Sequence, residues 1–249
     1  MLRFFRRTRL DSIAYNNTRS YILYAIGEIL LVVIGILLAL RINNWNEDSK
    51  KHVEEIKVLQ NFDRDLQNDL EQLEIHIGFT SEKMLLIDSL FQLLNNPDQA
   101  SLQKLMAYNL EIPFVDYFIE NRGTYDEGVS SGKISFIKTD SLREQIFEYY
   151  RFVQQSRTDA IQVKFVEDIL LPQWGEIVIP TREGMQHLGF ESRLPPIDIE
   201  ALSTNQKYVQ LIAQKFGTNQ VQIENWNRIT KRATKLKRAV RLELSKCNK

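Results

Sequence analysis

The stretch Tyr21–Leu40, YILYAIGEILLVVIGILLAL, holds one charged residue, Glu28, among twenty. At about 1.5 Å of rise per residue, a helix of that length covers roughly 30 Å, the hydrocarbon thickness of a bilayer. The stretch therefore predicts a transmembrane helix. Five arginines, Arg3, Arg6, Arg7, Arg9 and Arg19, precede it, whereas Arg41 is followed by a mixture of Glu47, Asp48, Lys50, Lys51, Glu54 and Glu55. The positive-inside rule then predicts a cytoplasmic N-terminus and an exported C-terminal domain. A cleaved signal peptide has a shorter apolar core, about 7 to 15 residues, ending in an A-x-A-like site. Here Leu37 and Ala39 precede Leu40-Arg41, which fits a retained anchor better. Tyr21, Tyr24 and Trp45 read as interfacial anchors, with Asn43, Asn44 and Asn46 marking the exit. The expected organisation is a basic tail over 1–20, a span over 21–42 and an exported domain over 43–249.

At about 100° per residue, Tyr24, Gly27, Glu28, Leu31, Gly35, Leu38 and Ala39 fall within one third of the helix circumference. Small residues let transmembrane backbones approach closely, and an intramembrane carboxyl ordinarily faces protein or water. Gly27, Glu28, Gly35 and Ala39 are thus candidates for contact with a second copy or a partner membrane protein. In the alternative reading Glu28 reaches the cytoplasmic headgroups and touches no protein.

The net charge of zero hides a partition. Residues 1–20 carry five Arg against Asp11, and residues 228–249 carry nine Lys and Arg against Glu243, which leaves 18 basic and 30 acidic residues between them. Basic clusters in an anchored protein commonly serve anionic headgroups, so Lys235, Lys237, Arg238 and Arg241 are lipid-surface candidates, and nucleic acid is not an expected partner. The single cysteine, Cys247, forms no internal disulfide.

Beyond the span the pattern is helical throughout. Val53, Ile56, Leu59, Phe62, Leu66, Leu70, Leu73 and Ile77, then Met84, Ile87, Phe91 and Leu94, form a bundle seam with Thr80 in one slot. Asn95-Asn96-Pro97-Asp98 ends that helix, and Asp98 or Ser101 caps a shorter one running to about Leu110. Phe114–Ile137 mixes aromatics with Gly123, Gly128 and Gly132, which predicts short helical turns and loops. A long helix is expected from Thr139, Asp140 or Ser141, where Ser141-x-x-Glu144 has capping-box spacing, to Leu171, with Pro172 stopping it. Residues 172–202 read as a structured connection with a small helix near Arg182–His187. The last helix is expected from about Ser203 to Lys246, irregular at Gly217-Thr218-Asn219. The expected fold class is all-α, an N-terminal transmembrane helix followed by an elongated, mainly antiparallel bundle. If residues 98–138 return along the first helix, the third helix rises again and the last descends, its basic end then lying near the bilayer. Turning at the top would send the C-terminus away, and some forty residues are more than a turn needs.

The chemistry-bearing motifs are weak. Gly128-Val-Ser-Ser-Gly132-Lys133 lacks one spacer of a phosphate loop and has Ile134 where Ser or Thr belongs. It also spells G-x-S-x-G around Ser130 and S-x-x-K to Lys133, but without the strand-to-helix elbow those nucleophiles need. A helix C-terminus with Gly132 left-handed is the plainer reading. His52, His76 and His187 are the only histidines, and neither the His52–Glu55 pair nor His187 with Glu183 and Glu191 shows di-iron order or a second His in register. No catalytic residue, cofactor or metal is expected. Tyr117, Phe118, Tyr125, Phe136, Tyr149, Tyr150 and Phe152, with Arg122, Arg143 and Arg151, read as core packing ahead of a ligand pocket.

Two segments resemble a known family. YAIGEILLVVIGILLALRINNWNE, Tyr24–Glu47, and GTYDEGVSSGKISFIKTDSLREQIFEYY, Gly123–Tyr150, together about a fifth of the chain, resemble a domain-of-unknown-function family of single-pass membrane proteins common in Bacteroidota. The resemblance implies a bacterial inner-membrane protein with a helical, periplasmic domain, and it carries no activity. The leading expectation is a non-catalytic interaction or assembly module whose partners are the bilayer and another membrane protein or a second copy. The alternative is a sensory or small-ligand-binding bundle, and an enzyme comes third.

Overall fold

The computed structural model describes residues 18–96, 102–156 and 158–247. Arg3, Arg6, Arg7 and Arg9 of the basic tail, and the expected caps Asp98 and Ser101, lie outside them. The described residues contain helices and connections and no strand. The chain divides into two units, residues 1–54 and 55–249. Helix α1, Thr18–Asn95, belongs to both.

In the first unit the apolar stretch is helical and uncovered. Ile22, Ile29, Leu31, Leu37 and Ile42 are each more than half exposed. A long helix this apolar, with Glu28 its one charge between Tyr21 and Leu40, and unburied by its own chain is a candidate membrane span. Among the described residues this is the one helix long and apolar enough to cross a membrane.

The second unit is built from the rest of α1, α2 (Leu102–Glu111), α3 (Gly123–Ser130), a short 3-10 turn (Lys133–Phe136), α4 (Asp140–Gln155), α5 (Thr158–Lys164), a π-helical segment (Phe165–Leu170), α6 (Leu171–Ile177), α7 (Arg182–His187), α8 (Ile199–Thr204) and α9 (Gln206–Cys247). No proline interrupts α1, and its seam supplies two apolar cores. Leu59, Phe62, Leu66 and Leu73 pack with Ile146, Tyr149 and Tyr150 of α4 and with Trp226, Ile229, Ala233 and Val240 of α9. Ile87, Leu90 and Leu94 pack with Leu105 of α2, Trp174 of α6 and Tyr208, Leu211 and Ile212 of α9. Fully burying each such side chain stabilises by about 1.5–3 kcal/mol.

Contacts fix the directions. Asp63 meets Arg241, Gln67 meets Lys237, and His76 meets Trp226, so α9 runs antiparallel to α1. Glu55 meets Lys138 and Asp69 meets Tyr149, so α4 runs parallel to α1. The chain therefore returns between α2 and α4, rises along α4 and descends along α9, whose end lies at the Glu55 end of this unit, where Thr139 bonds Glu243. The return is made largely by an irregular, non-helical run, Ile112–Arg122, and only its second part holds the short α3 and 3-10 turns.

Several local expectations differ from the structure. The expected helix from Thr139 to Leu171 breaks at Ser156, whose φ −76°, ψ 88° leave the helical region, and restarts at Thr158. Pro172 does not stop the chain. A proline clashes with the carbonyl four residues back, and the wider π-helical turn just before it relieves that clash, so α6 continues to Ile177. The Ser141-x-x-Glu144 box is not formed, because α4 starts two residues earlier with Thr139 at its N-cap, and the Thr139 hydroxyl donates instead to Glu243 at 2.6 Å. Helix α9 begins at Gln206, after Asn205 in an extended conformation, and Gly217-Thr218-Asn219 sits inside it without interruption. Gly132 does adopt the left-handed conformation, φ 74°, after the end of α3. Helix α7 forms where expected, with the Thr181 hydroxyl accepting from the Gly184 N–H at 3.1 Å.

Candidate functional site

The chemistry of the second unit lies between helices, where polar groups from α1, α5 and α9 converge on the irregular run. Isolated from any sheet, that run must satisfy its backbone groups with side chains. Asp69 Oδ1 accepts from both the N–H and the side-chain amide of Asn121 at 2.8 Å, and Asp69 Oδ2 accepts from the Tyr149 hydroxyl at 2.7 Å. Asp65 accepts from the Thr124 hydroxyl at 2.5 Å and its N–H at 3.3 Å. It thereby does from α1 what no side chain does at α3's own N-cap, Arg122. Burial raises the Asp69 carboxyl above its ordinary value, against the lowering effect of the Asn121 and Tyr149 bonds. Further along, Asp159 of α5 accepts from the Phe118 N–H at 2.9 Å, Gln222 at 2.9 Å and the Trp226 indole at 3.3 Å. Gln222 also donates to the Asp116 carbonyl at 2.7 Å.

Between the two apolar cores these groups form a charged layer. Lys83 donates to Asp116 Oδ2 at 2.5 Å and to the Phe114 carbonyl at 3.2 Å, and buried Thr80 donates to the same carboxylate at 3.4 Å. His76 Nδ1 lies 3.9 Å from Asp116 Oδ1, and its ring is 5.8 Å from the Trp226 ring. Lys215 of α9 enters from the other side, 1% exposed, with its ammonium 3.5 Å from the Phe114 carbonyl. Burial pushes this amine down to about 7, and Lys83 pushes the same way, against the opposing pull of Asp116. The layer therefore holds an interior amine that changes charge near neutrality, beside one carboxylate and one imidazole.

The residues singled out from the sequence fall elsewhere. Gly27, Glu28, Gly35 and Ala39 lie in the uncovered helix of the first unit, and a Cβ added at Gly27 or Gly35 meets nothing within 4 Å. Lys235 and Arg238 are exposed on α9. Lys237 faces the protein, whereas Arg241 is exposed and ion-paired. Lys237 is buried and donates to Gln67 and to the Asp63 carbonyl, and Arg241 pairs with Asp63 at 2.7 Å. Burial accordingly lowers the Lys237 amine. Of the aromatics, Phe118, Tyr149 and Tyr150 are core. Tyr125 stacks on Tyr150 at 4.3 Å with Arg122 over both rings, and Tyr117 is exposed. The Gly128–Lys133 run has Ser130 bonded to the Glu127 carbonyl and Lys133 paired with Glu127, a local helix-end arrangement.

The model of a family of unknown function, DUF6090, matches residues 28–159, more than half of the chain. The chain belongs to that family. No curated protein and no solved structure matches. The DUF6090 match takes in most of the apolar helix, the α1 carboxylates, the irregular run and α4, and it ends at Asp159, the residue that holds Phe118. Lys215, Gln222 and Trp226 lie beyond the matched residues. Sequence reading missed the charged layer, although a clue was present: Thr80 in a seam slot, with polar Lys215, Asn219 and Gln222 at helical spacing among the apolar positions of α9.

Proposed function

We propose that this protein is a single-pass component of the bacterial inner membrane, N-terminus cytoplasmic, whose second unit is a non-catalytic interaction or assembly module in the periplasm. The observation that carries this reading is the apolar helix, which its own chain leaves wholly uncovered. The arginines before it support the orientation. The module reading is supported by the inward carboxylates Asp65, Asp69 and Asp159, each of which holds backbone of the return run. Exposed Lys235 and Arg238, which pair with no carboxylate among the described residues, suit an anionic surface. The Gly27, Glu28, Gly35 and Ala39 face suits a second copy or another membrane helix.

The test joins topology to capture. A fusion of alkaline phosphatase after Lys249 is active, and a fluorescent protein that fails to mature outside the cytoplasm is dark in the same place. Crosslinked membranes then yield a specific membrane-protein partner or a homodimer. The opposite fusion pattern overturns the orientation, and a chain that stays monomeric and unpartnered overturns the module reading.

A further inference from the structure

A groove of about 490 Å3 runs between α9 and the face made by α5 and its π-helical continuation. Its volume is that of a small-molecule site. Ile161, Phe165 and Ile169 form one wall and Val221 part of the other, with Gly217 leaving open space where any other residue would project a Cβ. From Ile161 to Ile169 the wall extends on the order of 12 Å. Ile161 is 61% exposed and Val221 55%, so large apolar surface borders the groove uncovered.

Thr158, Gln214 and Thr218 also line the groove, and its buried polar element is the Gln162 side chain, paired with Asn219 behind the lining. Gln162 lines the groove and donates through its side chain to Asn219, and both residues are 1% exposed. Gln162 Oε1 and Asn219 Nδ2 then remain buried without a partner. Turning both amides over exchanges which residue offers which atom but leaves the same complement, one acceptor and one donor. Buried polar groups are ordinarily satisfied, so this pair calls for a group that donates and accepts at once. A hydroxyl does both. A carboxylate offers only acceptors and an ammonium only donors.

We propose that the groove binds a small amphiphile, an alkyl chain of medium length ending in a hydroxyl, with the hydroxyl at the Gln162–Asn219 pair and the chain along Phe165 and Ile169. This site is independent of the interaction reading and fails or stands separately from it.

The probe is an alkyl diazirine of octanol length with a terminal hydroxyl, photoactivated with the full chain in lipid nanodiscs and mapped by peptide mass spectrometry. The apolar helix takes up label nonspecifically and serves as the internal reference. The alcohol labels peptides covering 158–170 and 214–221 saturably. Octanol competes, and the hydroxyl-free alkane diazirine labels the same peptides several-fold less. Gly217→Phe removes groove labelling by either probe. The double variant Gln162→Leu/Asn219→Leu, which removes both amides together, keeps groove labelling but loses the preference for the alcohol. Thermal unfolding checks that each variant is folded, and the double variant carries the test alone if Gly217→Phe is not. Labelling confined to the apolar helix, or unsaturable in the groove, overturns the site. Equal labelling by alcohol and alkane in the wild type overturns the hydroxyl assignment and leaves the amide pair to a buried water.

Discussion

Replacing Lys215 by Met tests the charged layer directly. In the folded chain the amine is held at about 7, against 10.5 for an unperturbed lysine. The gap, at about 1.4 kcal/mol per pH unit, is worth on the order of 5 kcal/mol. The sign follows from proton counts. Below about pH 7 both folded and unfolded chains carry the proton, and the folded state bears the full penalty of a desolvated charge. Between about pH 7 and 10.5 the unfolded chain holds a proton that the folded chain has released, so stability rises with pH. Methionine has similar length, no charge and no such slope. Lys215→Met is therefore expected to gain most over wild type below pH 7, and the difference should narrow by about 1.4 kcal/mol per unit from there toward pH 9.5. Lys83, Asp116 and His76, the other polar groups of the layer, are present in both chains. The assay is urea unfolding of the full chain in detergent micelles at about pH 6, 8 and 9.5, followed by tryptophan fluorescence, since Trp226 touches the layer through His76. Parallel pH profiles for the two chains would refute the desolvated amine.

Three further outcomes are expected. A Cβ at Gly184 would stand 2.6 Å from the Val178 carbonyl oxygen, so Gly184→Ala should destabilise by about 1–3 kcal/mol, whereas Gly217→Ala, with open space around it, should stabilise by up to about 1 kcal/mol; thermal melts compare them. Tyr149→Phe leaves a buried carboxylate oxygen of Asp69 without its donor and should cost about 2–3 kcal/mol in the same melts, more than a surface Tyr117→Phe. Gly35→Ile should weaken self-association or partner binding in a membrane two-hybrid assay while Val33→Leu does not, and equal effects remove the case for that face.

The helical part of the fold was legible because periodicity reports which face is buried. The seam from Leu59 to Leu94, the helix ends near Asn95 and Leu110, the left-handed Gly132 and the small helix at Arg182–His187 all have local causes that a sequence displays. The departures have non-local causes. Pro172 reads as a stop until the π-helical turn before it is known, and Thr139 caps through its backbone because its hydroxyl is drawn to Glu243, 104 residues away. Lys237 looks like open basic charge only while Asp63 and Gln67 are unplaced, and Arg241, still exposed, gains Asp63 as a partner. The charged layer was legible only in part for the same reason. Thr80 and Lys215 sit at seam spacing, but Lys83, Asp116 and Asp159 are ordinary surface residues in sequence, and only the docking of the irregular run between α1 and α9 makes them all neighbours.

That docking also sets an order of events during synthesis. The run from Phe114 to Asn121 takes its partners from Lys83 and Asp69, made before it, but also from Asp159, Lys215 and Gln222, made up to 106 residues later. While the chain is still emerging, half of those backbone groups have nothing but water to bond, and the segment cannot seat until α9 has been delivered. Closing it last means that its burial reports completion. A chain truncated before Lys215 lacks the Lys215 and Gln222 contacts to the Phe114 and Asp116 carbonyls, so an unfinished copy should be cleaved within this run faster than a finished one, in which side chains hold those carbonyls.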